Sequence, residues 1–147
     1  MLKPATVPFL IAALSGIGMA IQGTLNSVLS QKTSLLAATL VIHLIGTLSI
    51  LIVIILGRIP VWHYDWHAIP WYLYLGGILS VIIIALVAVS IPRIGVANAT
   101  TAIIIGQVTT AVLLDHSGFF GLTKVAWNPW QILGVLLMAG GAKLLFH

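Results

Sequence analysis

Long apolar runs separated by short polar breaks set the layout of this chain. Residues 7–29, 34–56, 71–90, 96–114 and 129–145 are dominated by Leu, Ile, Val, Ala and Gly. Each run is close to the roughly 20 residues that a helix needs to cross a hydrocarbon core about 30 Å thick. The breaks between them are Gln31-Lys32-Thr33, Gly57-Arg58, Ile91-Pro92-Arg93-Ile94-Gly95 and Asp115-His116-Ser117-Gly118. The pattern predicts an all-α integral membrane protein of about five transmembrane helices, forming a single transmembrane domain over residues 1–147. A signal peptide would have a shorter apolar region, about 7–15 residues, followed by a cleavage site. Here a second span follows the first almost at once, so the first reads as a retained helix.

Two longer breaks have a different character. Between Pro60 and Pro70 lie Trp62, Tyr64 and Trp66, and Trp71, Tyr72 and Tyr74 follow. Such amphipathic rings settle at the headgroup level, which makes this stretch an interfacial loop. Phe119 to Trp127 form a second one. Asn128 then caps the last span, with Pro129 at its first helical position.

Composition sharpens the picture. The 147 residues are 61% hydrophobic and 5% charged, with a mean hydropathy of +1.20. A soluble domain carries about 25% charged residues, because charge covers its surface. No water-facing shell can be built from six Lys and Arg and two Asp, so the surrounding solvent is lipid. The absence of cysteine excludes disulfides, thiolate metal sites and cysteine nucleophiles. The basic residues never cluster, and each stands alone at a helix end or in a loop. They are membrane-boundary anchors and not a nucleic-acid surface.

Charge also bears on orientation. With five crossings, Lys3, Arg58 and Lys124 fall on one side and Lys32, Arg93 and Lys143 on the other. The positive-inside rule has nothing to choose with when three stand against three. The expectation is dual topology, with copies inserted both ways up and paired as an antiparallel (inverted) homodimer. The alternative is that one loop residue dominates and fixes a single orientation. Five short helices also enclose little on their own, and many transporters reach a closed pathway through two inverted repeats.

Polar side chains inside spans cost free energy unless they find partners or water, so they are the first candidates for function. Ser15, Gln22 and Asn26 fall on one face of the first helix, where Ala12, Gly16 and Ala20 form a stripe suited to close helix contact. Gln22 and Asn26 are candidate solute ligands; the competing role is hydrogen bonding to neighbouring helices. His43, the one histidine inside a span, is a candidate proton-coupling group, since its unperturbed pKa lies near about 6.5. Its structural alternative is a neutral imidazole bonded to a backbone carbonyl. On the fourth helix, Thr100, Gln107, Ala111 and Asp115 share a face, while Asn98 and Thr109 lie opposite, which predicts a helix buried on both sides. Gln107 is near mid-membrane beside Gly106. Asp115, where the helix exits, reads either as a cation contact at the pathway mouth or as the partner of a Lys or Arg.

Absences matter as well. There is no glutamate, and no carboxylate lies centrally in any span. The usual arrangement of a proton-coupled exporter of organic cations is therefore not supported. No Ser–His–Asp arrangement appears. His63, Asp65 and His67 have the spacing of a helical metal pair but lie in a Pro-bracketed loop, so no metal or cofactor is expected.

Gln22-Gly23-Thr24-Leu25-Asn26, Pro92-Arg93-Ile94-Gly95-Val96, and Gly106-Gln107 leading to Leu114-Asp115-His116-Ser117-Gly118 resemble the YdcZ-like family of the drug/metabolite transporter superfamily. The resemblance runs over essentially the whole chain. It implies a bacterial inner-membrane, multi-pass protein of five helices, related to transporters built from inverted repeats. Members occur as single chains, as pairs or as fused ten-helix proteins, and the single-chain form implies an antiparallel homodimer. The family's polar positions map onto Gln22, Asn26, Gln107 and Asp115, whereas the resemblance attaches no role to His43. The expected function is a small secondary transporter of an unidentified small solute, with a midplane site shared between subunits. Gln22 and Gln107 would bind directly, with Asn26 and Asp115 nearer an entrance. A non-transporting membrane subunit of another complex is the alternative, and an enzyme acting on lipid is the remote third.

Overall fold

The computed structural model describes residues 6–146, and Lys3, one of the six charges counted above, lies outside them. All regular structure among the described residues is helical: α1 (Thr6–Lys32), α2 (Leu35–Gly57), α3 (Leu75–Ile94), α4 (Val96–Ser117) and α5 (Pro129–Leu145). Four segments are long and apolar enough to cross a membrane: α1, α2, Trp71–Ile94 and α4. The fifth helix has 17 residues, a length of about 25 Å at about 1.5 Å per residue. That is the short end of the spanning range.

The helix ends follow local chemistry. Ser34 sits in extended backbone and its side chain accepts from Ala37 N–H at 3.2 Å, opening α2. Arg58 closes α2 in the left-handed region (φ 49°), where its N–H and that of Ile59 bond back to Ile55 and Ile54. Asn128 accepts from Trp130 N–H at 3.0 Å and Pro129 follows it, as expected for the start of α5. The aromatic loop after α2 is a string of short 3₁₀ turns, Val61–His63, Trp66–Ala68 and Trp71–Tyr74. It is tied by Trp66 Nε1–H to Val61 O (3.2 Å) and by Tyr74 O–H to Trp66 O (2.9 Å).

Three helix ends lie three or four residues beyond expectation: α1 runs to Lys32, α4 to Ser117 and α3 to Ile94. The α3 helix runs through Pro92 to Ile94, so the connection to α4 narrows to Gly95 at φ 82°. Proline in a last turn removes one hydrogen bond, that from position 92 to the Ala88 carbonyl four residues back. The Ser27 hydroxyl of α1 points at this carbonyl at 3.5 Å. A neighbouring helix thus supplies the donor that Pro92 lacks, the usual way a proline is accommodated in lipid.

The chain divides into two compact units, one ending at Arg93 and the other starting at Ile94. In the first, the buried residues gather at one end: Gly23, Asn26 and Ser27 of α1, Ala38 and Thr39 of α2, Ala88 and Ile91 of α3. The opposite end, with the first half of α1 and the start of α3, is exposed. Small residues explain the tight end. A Cβ on Gly23 would meet Val87 Cγ1 at 3.0 Å and Ile91 Cδ1 at 3.5 Å, whereas one on Gly16 would meet nothing within 4 Å. The close α1 contact is therefore made at Gly23 and Ser27, and not through Ala12, Gly16 and Ala20. In the second unit, Ala99 of α4 and Ala142 of α5 are buried. Of α4 only Ala99 is buried, so the expected burial of this helix on both sides is not met within the chain. One neighbour in its unit covers one side at most.

Candidate functional site

Gln22 lies on α1 one residue before the glycine that approaches α3, yet its own side chain is exposed. Asn26, one turn on, is 8% exposed and sits in the tight end of the first unit beside the fully buried Ser27. Ser27 Oγ also accepts from Gln31 Nε2 at 3.4 Å. Gln107 is exposed in the middle of α4, and Gly106 beside it has open space around its Cα. Asp115 is exposed in the last turn of α4. Among the described residues, none of the Gln22, Asn26, Gln107 and Asp115 side chains makes a hydrogen bond or ion pair.

His43 is different. It is half-buried in α2, and both ring nitrogens have partners. Nδ1 lies 2.8 Å from Thr39 O one turn back, and Nε2 lies 3.0 Å from Ser80 Oγ on α3. The Ser80 hydroxyl in turn lies 2.8 Å from Gly77 O. Sequence reasoning singled out His43 but missed Ser80. The only signal was a hydroxyl in the middle of a mostly apolar run, and helical phase alone does not say which neighbour it meets.

The exit of α4 is built by its loop. Gly118 takes a left-handed conformation (φ 66°) and its N–H bonds Leu114 O at 3.0 Å. The chain then folds back, with Val125 N–H donating to Asp115 O at 2.9 Å and Trp127 lying 4.4 Å from the His116 ring between centroids. His116 Nδ1 is buried without a partner. In the other loop, His63 and His67 sit in separate 3₁₀ turns, and the Asp65 carboxylate accepts from His67 N–H at 3.1 Å. The helical spacing needed for a metal pair there is absent, since no helix runs through it.

A sequence pattern described as "Putative inner membrane exporter, YdcZ" matches residues 7–144. The chain belongs to this YdcZ family. It is accordingly a multi-pass inner-membrane protein of a transporter family, in contact with lipid and with a transported solute. The family description is that of a transporter and not of an enzyme. The YdcZ match takes in every candidate residue named above, from Gln22 to Asp115. No curated protein and no solved structure matches the chain.

Proposed function

We propose that the chain is a secondary transporter of a small solute, outward-directed as the family description suggests, working as an antiparallel homodimer. The observation that carries this reading is the state of two amides. Gln22 and Gln107 lie within membrane-spanning helices, are exposed, and have no hydrogen-bond partner among the described residues. Facing hydrocarbon, each would leave several donors and acceptors unsatisfied at a cost of several kcal/mol, on the order estimated for buried unpaired polar groups. They therefore face a second copy, a water-filled path or the solute itself. Gln22 and Gln107 are the direct binders in this reading. Asn26, in the closed end of the first unit, meets solute only when that end opens, and the exposed Asp115 stands at the mouth.

The balanced Lys and Arg count supports insertion both ways up, provided that the short α5 also crosses and the two units act as one transmembrane domain. Two assays test the reading. A ligand-stabilisation screen over small amines, sugars, amino acids and organic acids should find a solute that reconstituted protein moves and that Gln107→Ala protein, still dimeric, does not. A Gln107→Ala protein that transports normally defeats the site. A C-terminal reporter should be found on both faces of the membrane, and its confinement to one face defeats the inverted dimer.

A further inference from the structure

We infer that His43 and Ser80 form a proton-binding site that bridges α2 and α3. A carbonyl oxygen only accepts, so the His43 nitrogen facing Thr39 O must carry a hydrogen. The other nitrogen faces Ser80 Oγ, which owns one hydrogen and has two acceptors within reach, His43 Nε2 at 3.0 Å and Gly77 O at 2.8 Å. Two arrangements satisfy the ring completely. In the first, the Ser80 O–H donates to Nε2 and the imidazole is neutral. In the second, the hydroxyl hydrogen turns to Gly77 O and the Ser80 lone pair accepts from Nε2–H, so the imidazole is a cation. They differ by one proton, delivered by hydronium that leaves as water, and by rotation of one hydroxyl. No heavy atom moves and no ring hydrogen bond is lost. A histidine serving only as a strut would need the neutral arrangement alone, and a carbonyl and an amide would hold the helices as well.

The surroundings suit this role. The helices α1, α2 and α3 carry no Asp, Glu, Tyr or Cys, and their charged residues are Lys32 and Arg93. Lys32 ends α1 and Arg93 lies in the last turn of α3, thirteen positions, or about 20 Å of helix, beyond Ser80. No fixed carboxylate on these helices holds the proton, so binding is left to the two oxygens and to whatever the open end of the unit admits. Coupling of this proton to solute movement rests on the transporter reading above; the proton site itself does not.

The test is ¹⁵N NMR of histidine-labelled full-length protein in lipid bilayers, with His43→Gln used to assign the signal among five histidines. At about pH 8 the His43 ring should show one protonated and one accepting nitrogen, and at about pH 5 two protonated nitrogens. Ser80→Ala should lose the hydrogen-bonded Nε2 signature in both conditions, and Ser80→Thr, which keeps the hydroxyl, should restore it. A His43 ring that looks the same at both pH values overturns the inference. So does an Nε2 signal untouched by Ser80→Ala, or one that Ser80→Thr fails to restore. No solute enters this measurement, so its failure leaves the transporter reading standing, and loss of solute transport leaves the proton site standing.

Discussion

Within α1–α3 polar groups find partners on adjoining helices: Ser27 approaches the carbonyl freed by Pro92, and His43 reaches Ser80. Between α4 and α5 no side-chain hydrogen bond is made among the described residues, and Gln107 stays exposed and unbonded. In water this contrast would carry little meaning, because solvent would satisfy the amide. In a bilayer it separates helices that are chemically complete from helices that are not. The first unit, Gln22 and Asn26 aside, answers its own hydrogen-bonding demands among the described residues. The second leaves its amide at Gln107 unanswered within the unit.

The largest expected effect comes from breaking the self-sufficient side. Gly23→Leu forces a side chain against Val87 and Ile91 and should lower stability by about 1–3 kcal/mol, the usual cost of overpacking. Gly16→Leu, with open space around it, should stay within about 0.5 kcal/mol. Thermal unfolding in one detergent compares the two, and equal losses would remove the tight end from the account. At the exit of α4, Gly118→Ala places a Cβ in a left-handed backbone and 2.5 Å from Lys124 Cγ. A cost of about 1–2 kcal/mol is expected in the same assay. Ser80→Ala should cost somewhat less, about 0.5–1 kcal/mol for one interhelical hydrogen bond in a membrane. Smallest of all should be Gln107→Leu. It should change stability in detergent by no more than about 0.5 kcal/mol while abolishing solute transport, since the isolated chain gives Gln107 no bond to lose.

Much of this was legible in the apolar pattern, and the exceptions have physical causes. Periodicity and length located all five helices, and Ser34, Asn128 and Pro129 marked starts that chemistry alone makes recognisable. The end of α3 was misplaced because Pro92 reads as a breaker, whereas a hydroxyl from another helix can answer the carbonyl it frees. Within the first unit the close contact of α1 falls at Gly23 and Ser27, a turn or more beyond the stripe of Ala12, Gly16 and Ala20. Helical phase groups residues on a face but does not say where along that face a neighbour comes close, and Gly23 with Ser27 shows the same spacing as Gly16 with Ala20. His43 was visible as the one span histidine. Its partner Ser80 was not, because a contact between residues 37 positions apart depends on how α2 and α3 cross.

The proposed transport function requires α4 to turn Gln107 away from lipid. The chain contains no cysteine, so Gln107→Cys can be read without background. Leu113→Cys serves as the lipid-facing comparison, since Leu113 is 54% exposed on another side of α4. In sealed membranes, the cysteine at 107 should react with a membrane-impermeant maleimide or cross-link to a second copy, while that at 113 should be reached only by a lipid-soluble probe. If both positions answer to the lipid probe alone, Gln107 faces hydrocarbon and the account fails.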